Sequence, residues 1–151
     1  MRPVRRGPVL ALVLALSAAA CVPDPGAEER KVRTLVFTEL SQPDLGVVVG
    51  PVVMQSNFAI VDWTRGSLSG GRTLLRKDKG DWSMILCGGA ALKQRPTLEA
   101  AGVPDGTAGV LASKLVTEES RLGGERRAQI EKWSGASPDG KRVACPEPRP
   151  R

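Results

Sequence analysis

The stretch VVVGPVVMQSNFAIVDWTRGSLSGGRTLLRKDKGDWSMILC, residues 47–87, decides the fold of this chain. Within it, runs rich in β-branched residues are separated by short turn sequences, which is typical of consecutive antiparallel strands. The pattern predicts a meander of four strands, at 47–54, 58–64, 72–77 and 82–87. Gly50-Pro51 interrupts the first strand and favours an edge position or a bulge, because proline cannot donate to a ladder.

Apolar residues with helical spacing flank this stretch on both sides. Before it, Val32, Leu35, Val36 and Leu40 form one stripe and predict an amphipathic helix over 28–40. After it, the spacing predicts helices over 91–101, 105–122 and 125–133, the second with Asp105 as its N-cap. The order predicts an α+β fold with an N-terminal helix, a four-stranded antiparallel meander and two to three C-terminal helices. We expect helices to cover one sheet face and to leave the other partly free, as in a cystatin-like or nuclear transport factor 2-like cup.

The first twenty residues have the pattern of a bacterial secretory signal peptide, with early arginines, an apolar run at 9–16 and small residues at 17–20. The apolar run is shorter than the roughly 20 residues that span a bilayer. Cys21 follows and resembles the lipidated residue of a lipoprotein signal. Such signals usually have Leu where this chain has Ala18, so ordinary cleavage near 18–20 remains the alternative. We therefore predict an exported protein, a membrane-attached lipoprotein facing the periplasm or the outer surface.

The rest of the chain divides into three parts. Residues 21–27 are Pro-rich and predict a lipid anchor and tether. Residues 28–135 form the single α+β domain, and 136–151 form a tail that we expect to be mostly disordered.

The residue inventory excludes several functions. The chain has no His, which rules out His-based catalytic triads and His-ligated metal sites. The net charge of +6 falls to +3 without the three signal-peptide arginines, and the few aromatic residues argue against nucleic-acid binding. No residues with the pattern of a catalytic site are found, so we predict that the protein is not an enzyme.

Of the three cysteines, Cys21 is the predicted lipid attachment site. Cys87 and Cys145 would then pair in an oxidising compartment. Their disulfide would close a loop of about 57 residues, which the chain-entropy model values at about 4 kcal/mol. Two unpaired thiols are the alternative.

Several short motifs together resemble one small exported bacterial family. They are Val49-Gly50-Pro51-Val52-Val53, Phe58-Ala59-Ile60-Val61-Asp62-Trp63-Thr64, Gly70-Gly71-Arg72, Leu86-Cys87-Gly88-Gly89 and Ala101-Gly102-Val103-Pro104. The chain thereby resembles the copper uptake system-associated proteins over about residues 47–133. The resemblance implies an exported accessory protein associated with copper uptake, and it implies no catalytic mechanism.

The predicted strands also suggest candidate site residues. Asp62 and Arg72 should face each other across adjacent strands, which indicates a cross-strand ion pair, with a ligand pocket as the alternative. The candidate surface for a ligand or partner comprises Phe58, Asp62, Trp63, Arg72 and Trp82. We predict no metal or cofactor, with Cu(I) held by Met54, Met84 and Cys87 as the alternative, since soft sulfur ligands suit that ion.

The hypothesis is therefore a non-enzymatic cell-envelope accessory lipoprotein that binds an envelope protein partner or a small ligand. A copper-handling protein with Met and Cys ligands is the alternative.

Overall fold

The computed structural model describes residues 24–41, 43–67 and 69–133. Its first helix, α1, spans Pro25–Leu40. The Asp24 carboxylate caps it by accepting a hydrogen bond from the Gly26 backbone N–H at 2.9 Å, and Pro25 suits the first turn because its missing N–H is not needed there. The helix thus begins within the predicted tether, three residues before the predicted start, because Asp-Pro forms a helix N-terminus here.

The four predicted strands are confirmed as one antiparallel sheet in the order β1-β2-β3-β4. They are β1 (Val47–Gln55), β2 (Phe58–Arg65), β3 (Ser69–Asp78) and β4 (Asp81–Gly88). β1 lies at an edge, and its register with β2 shifts between Val49 and Val52, where Gly50-Pro51 stands. The prediction of an irregular edge strand is confirmed.

The C-terminal helices are also confirmed, with shorter bounds. A 3₁₀ turn over Ala90–Lys93 precedes α2 (Arg95–Ala100), α3 (Asp105–Glu119) and α4 (Gly124–Glu131). The prediction that Asp105 caps α3 was wrong. Pro104 takes the cap position and Asp105 is the first helical residue, so no side chain satisfies the free N–H groups of the first turn.

Helices cover both faces of the sheet. On one face, strand residues including Phe58, Ile60 and Leu74 pack with Leu98, Leu111 and Leu115 of α2 and α3. On the other face, Ala59, Val61, Trp63 and Leu75 pack with Val32, Val36 and Leu40 of α1.

The expectation that one sheet face stays partly free, as in an open cup, was therefore wrong. The physical reason is visible in β2, where all residues from Phe58 to Thr64 are buried. Both sets of alternating side chains supply apolar residues, Phe58 and Ile60 to one face and Ala59, Val61 and Trp63 to the other, as expected of a strand that is covered on both faces.

Candidate functional site

A group of charged side chains, three of them buried and two half-buried, lies between the sheet and the ends of two helices. We call it the Arg72 cluster: Asp62, Arg72, Lys93, Glu119 and Glu131. Asp62 of β2 and Arg72 of β3 are register partners, and both side chains are fully buried. Asp62 Oδ1 lies 3.6 Å from Arg72 Nε, so the two side chains meet across the strands as predicted.

Two helix ends supply further carboxylates to Arg72. Its Nε donates to Glu119 Oε1 at the end of α3 at 2.6 Å, and its Nη2 donates to Glu131 Oε1 at the end of α4 at 2.7 Å. Lys93, in the 3₁₀ turn, forms ion pairs with both glutamates. One buried guanidinium therefore connects β2, β3, α3 and α4.

Burial and charge together shift the protonation of these groups. Burial, reinforced by the negative charge of Glu119, raises the pKa of Asp62 to about 8. Burial opposes the charges on Arg72 and Glu131. Hydrogen bonds between them, and with Glu119 and Lys93, outweigh this effect, so the pKa of Arg72 is raised and the pKa of Glu131 is lowered. At neutral pH, Asp62 is therefore protonated, whereas Glu131, which also contacts Arg72, is ionised.

Asp62 is the least satisfied member of the cluster. Both of its carboxyl oxygens are buried without a hydrogen-bond partner among the described residues, as are Arg72 Nη1 and the nearby Arg126 Nε. Buried polar atoms without partners are costly, and a protonated carboxyl avoids the larger cost of a buried charge. The proton on Asp62 therefore stabilises the cluster.

Sequence reasoning found only the pair that sheet register determines. It missed Lys93, Glu119 and Glu131, which are distant from Arg72 in the chain. Glu119 did leave a signal, because it continues the buried stripe of Ala108, Leu111 and Leu115 at the next helical step, where an apolar residue would be ordinary. Glu131 left none.

The other residues of the predicted ligand surface do not share one open face. Phe58 lies in the core under α3. Trp63 points to the α1 face, where its Nε1 donates to Thr73 Oγ1 at 3.1 Å and its ring meets Trp133 at 5.8 Å. Trp82 donates to Glu28 Oε2 at 2.8 Å. The structure brings together only Asp62 and Arg72 of that set.

The alternative copper ligands are not brought together either. Met54 and Met84 lie on the two edge strands, in one row with Ala59 and Leu75. Three strand spacings put the two sulfur-bearing residues roughly 14 Å apart, too far to share one ion. Across residues 24–41, 43–67 and 69–133, no group of three or more His, Cys, Asp or Glu side chains is arranged to hold a metal ion.

Cys87 is buried on β4, and its Sγ shares a hydrogen bond with Thr73 Oγ1 at 3.2 Å. Both Cys21 and Cys145 lie outside the described residues. The lipidation of Cys21 and the pairing of Cys87 with Cys145 stay predictions.

An accessible apolar feature lies on α1 beside β1. The Phe37 side chain is 50% exposed, and Arg33, Thr34, Phe37 and Val49 line a groove of about 270 Å³. We call this the Phe37 groove. An exposed aromatic side chain beside a groove offers a partner protein an apolar contact.

The backbone edge of β1 next to this groove is already occupied by cationic side chains. Arg33 of α1 donates to the carbonyl of Val49, Arg126 of α4 donates to that of Gly50 at 2.5 Å, and Lys114 of α3 donates to that of Met54 at 2.9 Å. A partner strand pairing here would have to displace them. The edge therefore favours contacts through side chains over strand addition.

Comparisons with protein-family models, with curated proteins and with solved structures find no match to this chain. In the part of the chain that the structure describes, no helix combines the length and the apolar character needed to cross a membrane.

Proposed function

We propose that this chain is a non-enzymatic accessory lipoprotein of the cell envelope, anchored through Cys21, that binds an envelope protein and acts beside a copper-uptake system. The observation that carries the binding role is the Phe37 groove. Phe37 is half-exposed and contributes little to stability, and together with the groove beside it this side chain offers a partner an apolar contact. The partner would insert an apolar side chain between α1 and β1.

The Arg72 cluster supports a structural role for its charges. Arg72 and Asp62 are fully buried, and Glu119 and Glu131 both form ion pairs with Arg72. A substrate would have to displace α4 to reach them. The cluster therefore serves to fasten α3 and α4 to the sheet.

The test is complementation of host cells that lack this protein, with cell copper content as the readout. We expect the wild-type chain to restore copper content, and Phe37→Glu and Cys21→Ser to fail. Phe37→Glu places a charge in the apolar groove, and Cys21→Ser removes the anchor. Val116→Glu is the matched control, because Val116 is 53% exposed on α3, outside the groove.

Each variant must accumulate to the wild-type level in the envelope fraction, with intact mass reporting lipidation. Full restoration by Phe37→Glu would overturn the binding role of the groove. Full restoration by Cys21→Ser, or a mature protein without acyl chains, would overturn the anchoring. No loss of copper content in cells without the protein would remove the link to copper uptake.

A further inference from the structure

On the basis of the anchoring proposed above, we infer that one end of the domain is a membrane-facing surface that binds anionic phospholipid headgroups. This end comprises the first turn of α1 and the two hairpin turns at Ser56-Asn57 and Lys79-Gly80. We call it the anchor-proximal end. Beyond the anchor itself, the inference states which end of the domain faces the membrane and which class of lipid headgroup it binds.

The first argument is the length of the chain between Cys21 and the domain. Asp24 caps α1, so only Val22 and Pro23 lie between the anchor residue and the cap of the helix. Three residues extend at most about 10 Å, since each spans no more than about 3.5 Å. A domain held that closely must place the start of α1 at the lipid surface.

The second argument is what lies beside the start of α1. Glu28 in its first turn accepts hydrogen bonds from Lys77 Nζ at 2.6 Å and from Trp82 Nε1 at 2.8 Å, which fixes the β3–β4 turn next to the helix start. The Lys77 backbone N–H donates to the Asn57 carbonyl at 2.8 Å, which joins the β1–β2 turn to the same end. These contacts join the two turns and the start of α1 into one surface.

The third argument is the charge of this surface. Lys114 of α3 reaches this end through Met54 and Gln55, beside the β1–β2 turn. The cations are Arg30, Lys31, Arg76, Lys77, Lys79 and Lys114, and the acids are Asp24, Glu28, Glu29, Asp78 and Asp81. Arg76 and Lys79 are exposed and are without an ion pair among the described residues. Basic residues within reach of an anionic bilayer each add about 1 kcal/mol of attraction. The surplus of cations therefore favours anionic headgroups over zwitterionic ones.

The test uses the lipidated protein purified from membranes and reconstituted into two kinds of vesicle. One contains phosphatidylcholine with phosphatidylglycerol, and the other contains phosphatidylcholine alone, so the two differ only in the anionic headgroup. A water-soluble amine-acylating reagent labels lysines, and mass spectrometry compares Lys31 and Lys79 at the anchor-proximal end with Lys132 at the far end. We expect labelling of Lys31 and Lys79, relative to Lys132, to be about fivefold slower on the anionic vesicles.

Two double variants separate membrane contact from general charge effects. Arg76→Glu/Lys79→Glu should restore fast labelling of Lys31. Arg121→Glu/Arg127→Glu makes the same charge change at exposed positions at the far end, keeps Lys132 as the reference, and should leave Lys31 protected. Unchanged thermal unfolding of both variants in solution confirms that they fold.

Equal labelling of Lys79 and Lys132 on anionic vesicles would overturn the inference while the anchor remains. Equal protection on both kinds of vesicle would overturn the lipid class. The intact mass of the same samples reports on the anchor separately, and a mass without acyl chains would overturn the proposed anchoring and this inference with it.

Discussion

Asp62 couples folding to pH because it holds a proton in the folded protein. Its pKa rises from 3.8 to about 8 on folding, so between these values the folded state binds more protons than the unfolded state. The free energy of unfolding therefore falls as the pH rises from about 4 to about 8, and levels off above. The lowered pKa values of Glu28 and Glu131 act oppositely, since the stability that they contribute is lost as the pH falls below 4.5.

Asp62→Asn should remove the alkaline loss of stability, because an amide cannot ionise. At pH 8 we expect the variant to be more stable than the wild type by at least about 1 kcal/mol, because each pH unit between the two pKa values of Asp62 costs the wild type up to about 1.4 kcal/mol. Near pH 4 the two should converge. Urea unfolding between pH 4 and 9 measures this. Asp44→Asn, at an exposed loop position, is the control, and an Asp62→Asn curve that runs parallel to the wild type would contradict the assignment.

Gly89 is required by a close backbone approach. A Cβ built there would lie 1.5 Å from the Trp133 carbonyl oxygen, which belongs to the backbone and cannot rotate away. Gly89→Ala should therefore push the segment after α4 away and destabilise the protein by about 1–3 kcal/mol.

Chemical unfolding and Trp fluorescence measure the effect of Gly89→Ala, since Trp133 packs on Trp63. Gly106→Ala is the matched control. Nothing lies within 4 Å of a Cβ at this helical position, so alanine should stabilise by up to about 1 kcal/mol. Equal effects of the two substitutions would show that the approach at Gly89 is loose.

At the scale of elements, α1 is one of the three layers, although its sequence is highly charged. Val32, Val36 and Leu40 are at most 1% exposed against the sheet. We expect Leu40→Ala to cost about 2–5 kcal/mol, as for other fully buried leucines. Phe37→Ala, on the outer side of the same helix, should change stability by less than about 0.5 kcal/mol.

Thermal and urea unfolding of the two alanine variants test this division of α1. A similar loss for both would mean that Phe37 contributes to the core. A negligible loss for Leu40→Ala would mean that α1 is dispensable to the domain.

α4 is held in a different way, with Ile130 as its only fully buried side chain. Polar contacts provide the remaining attachment of α4 to the sheet. Gln129 Nε2 donates to the carbonyls of Gly66 and Ser69, and Glu131 binds Arg72. The partners in these contacts are distant in the chain. Helix propensity and apolar periodicity therefore predict that α4 forms, but they do not predict where it packs on the sheet.

At the scale of the whole molecule, the predicted disulfide between Cys87 and Cys145 would tie the tail to β4. Cys145→Ser should expose a thiol at Cys87 that alkylates only on unfolding, because Cys87 is fully buried. The substitution should also lower the free energy of unfolding by about 4 kcal/mol, because the unfolded chain would no longer be restricted by a closed loop. Intact mass after alkylation in denaturant tests the pairing, and a wild-type protein that alkylates at both residues would contradict it.

The sequence by itself determined the secondary structure of the domain and the pairing of Asp62 with Arg72. Alternation in strands, apolar stripes on helices and short turns are all local signals. Short turns also fix the register of a meander, and in this register Asp62 and Arg72 are partners. The capping of α1 by Asp24 was also readable from local chemistry, though the prediction placed the start three residues later.

Only the tertiary structure decided that α1 closes the second sheet face and that Glu119, Glu131 and Lys93 converge on Arg72. The hydrogen-bond partners Glu119 and Glu131 are 47 and 59 residues from Arg72 along the chain. Apolar patterns that repeat every two or four residues show only which face of a strand or helix is buried. They do not predict contacts between residues that are so distant in the chain, because the packing of helices on the sheet determines which faces meet. The buried charges thus follow from the way the layers close.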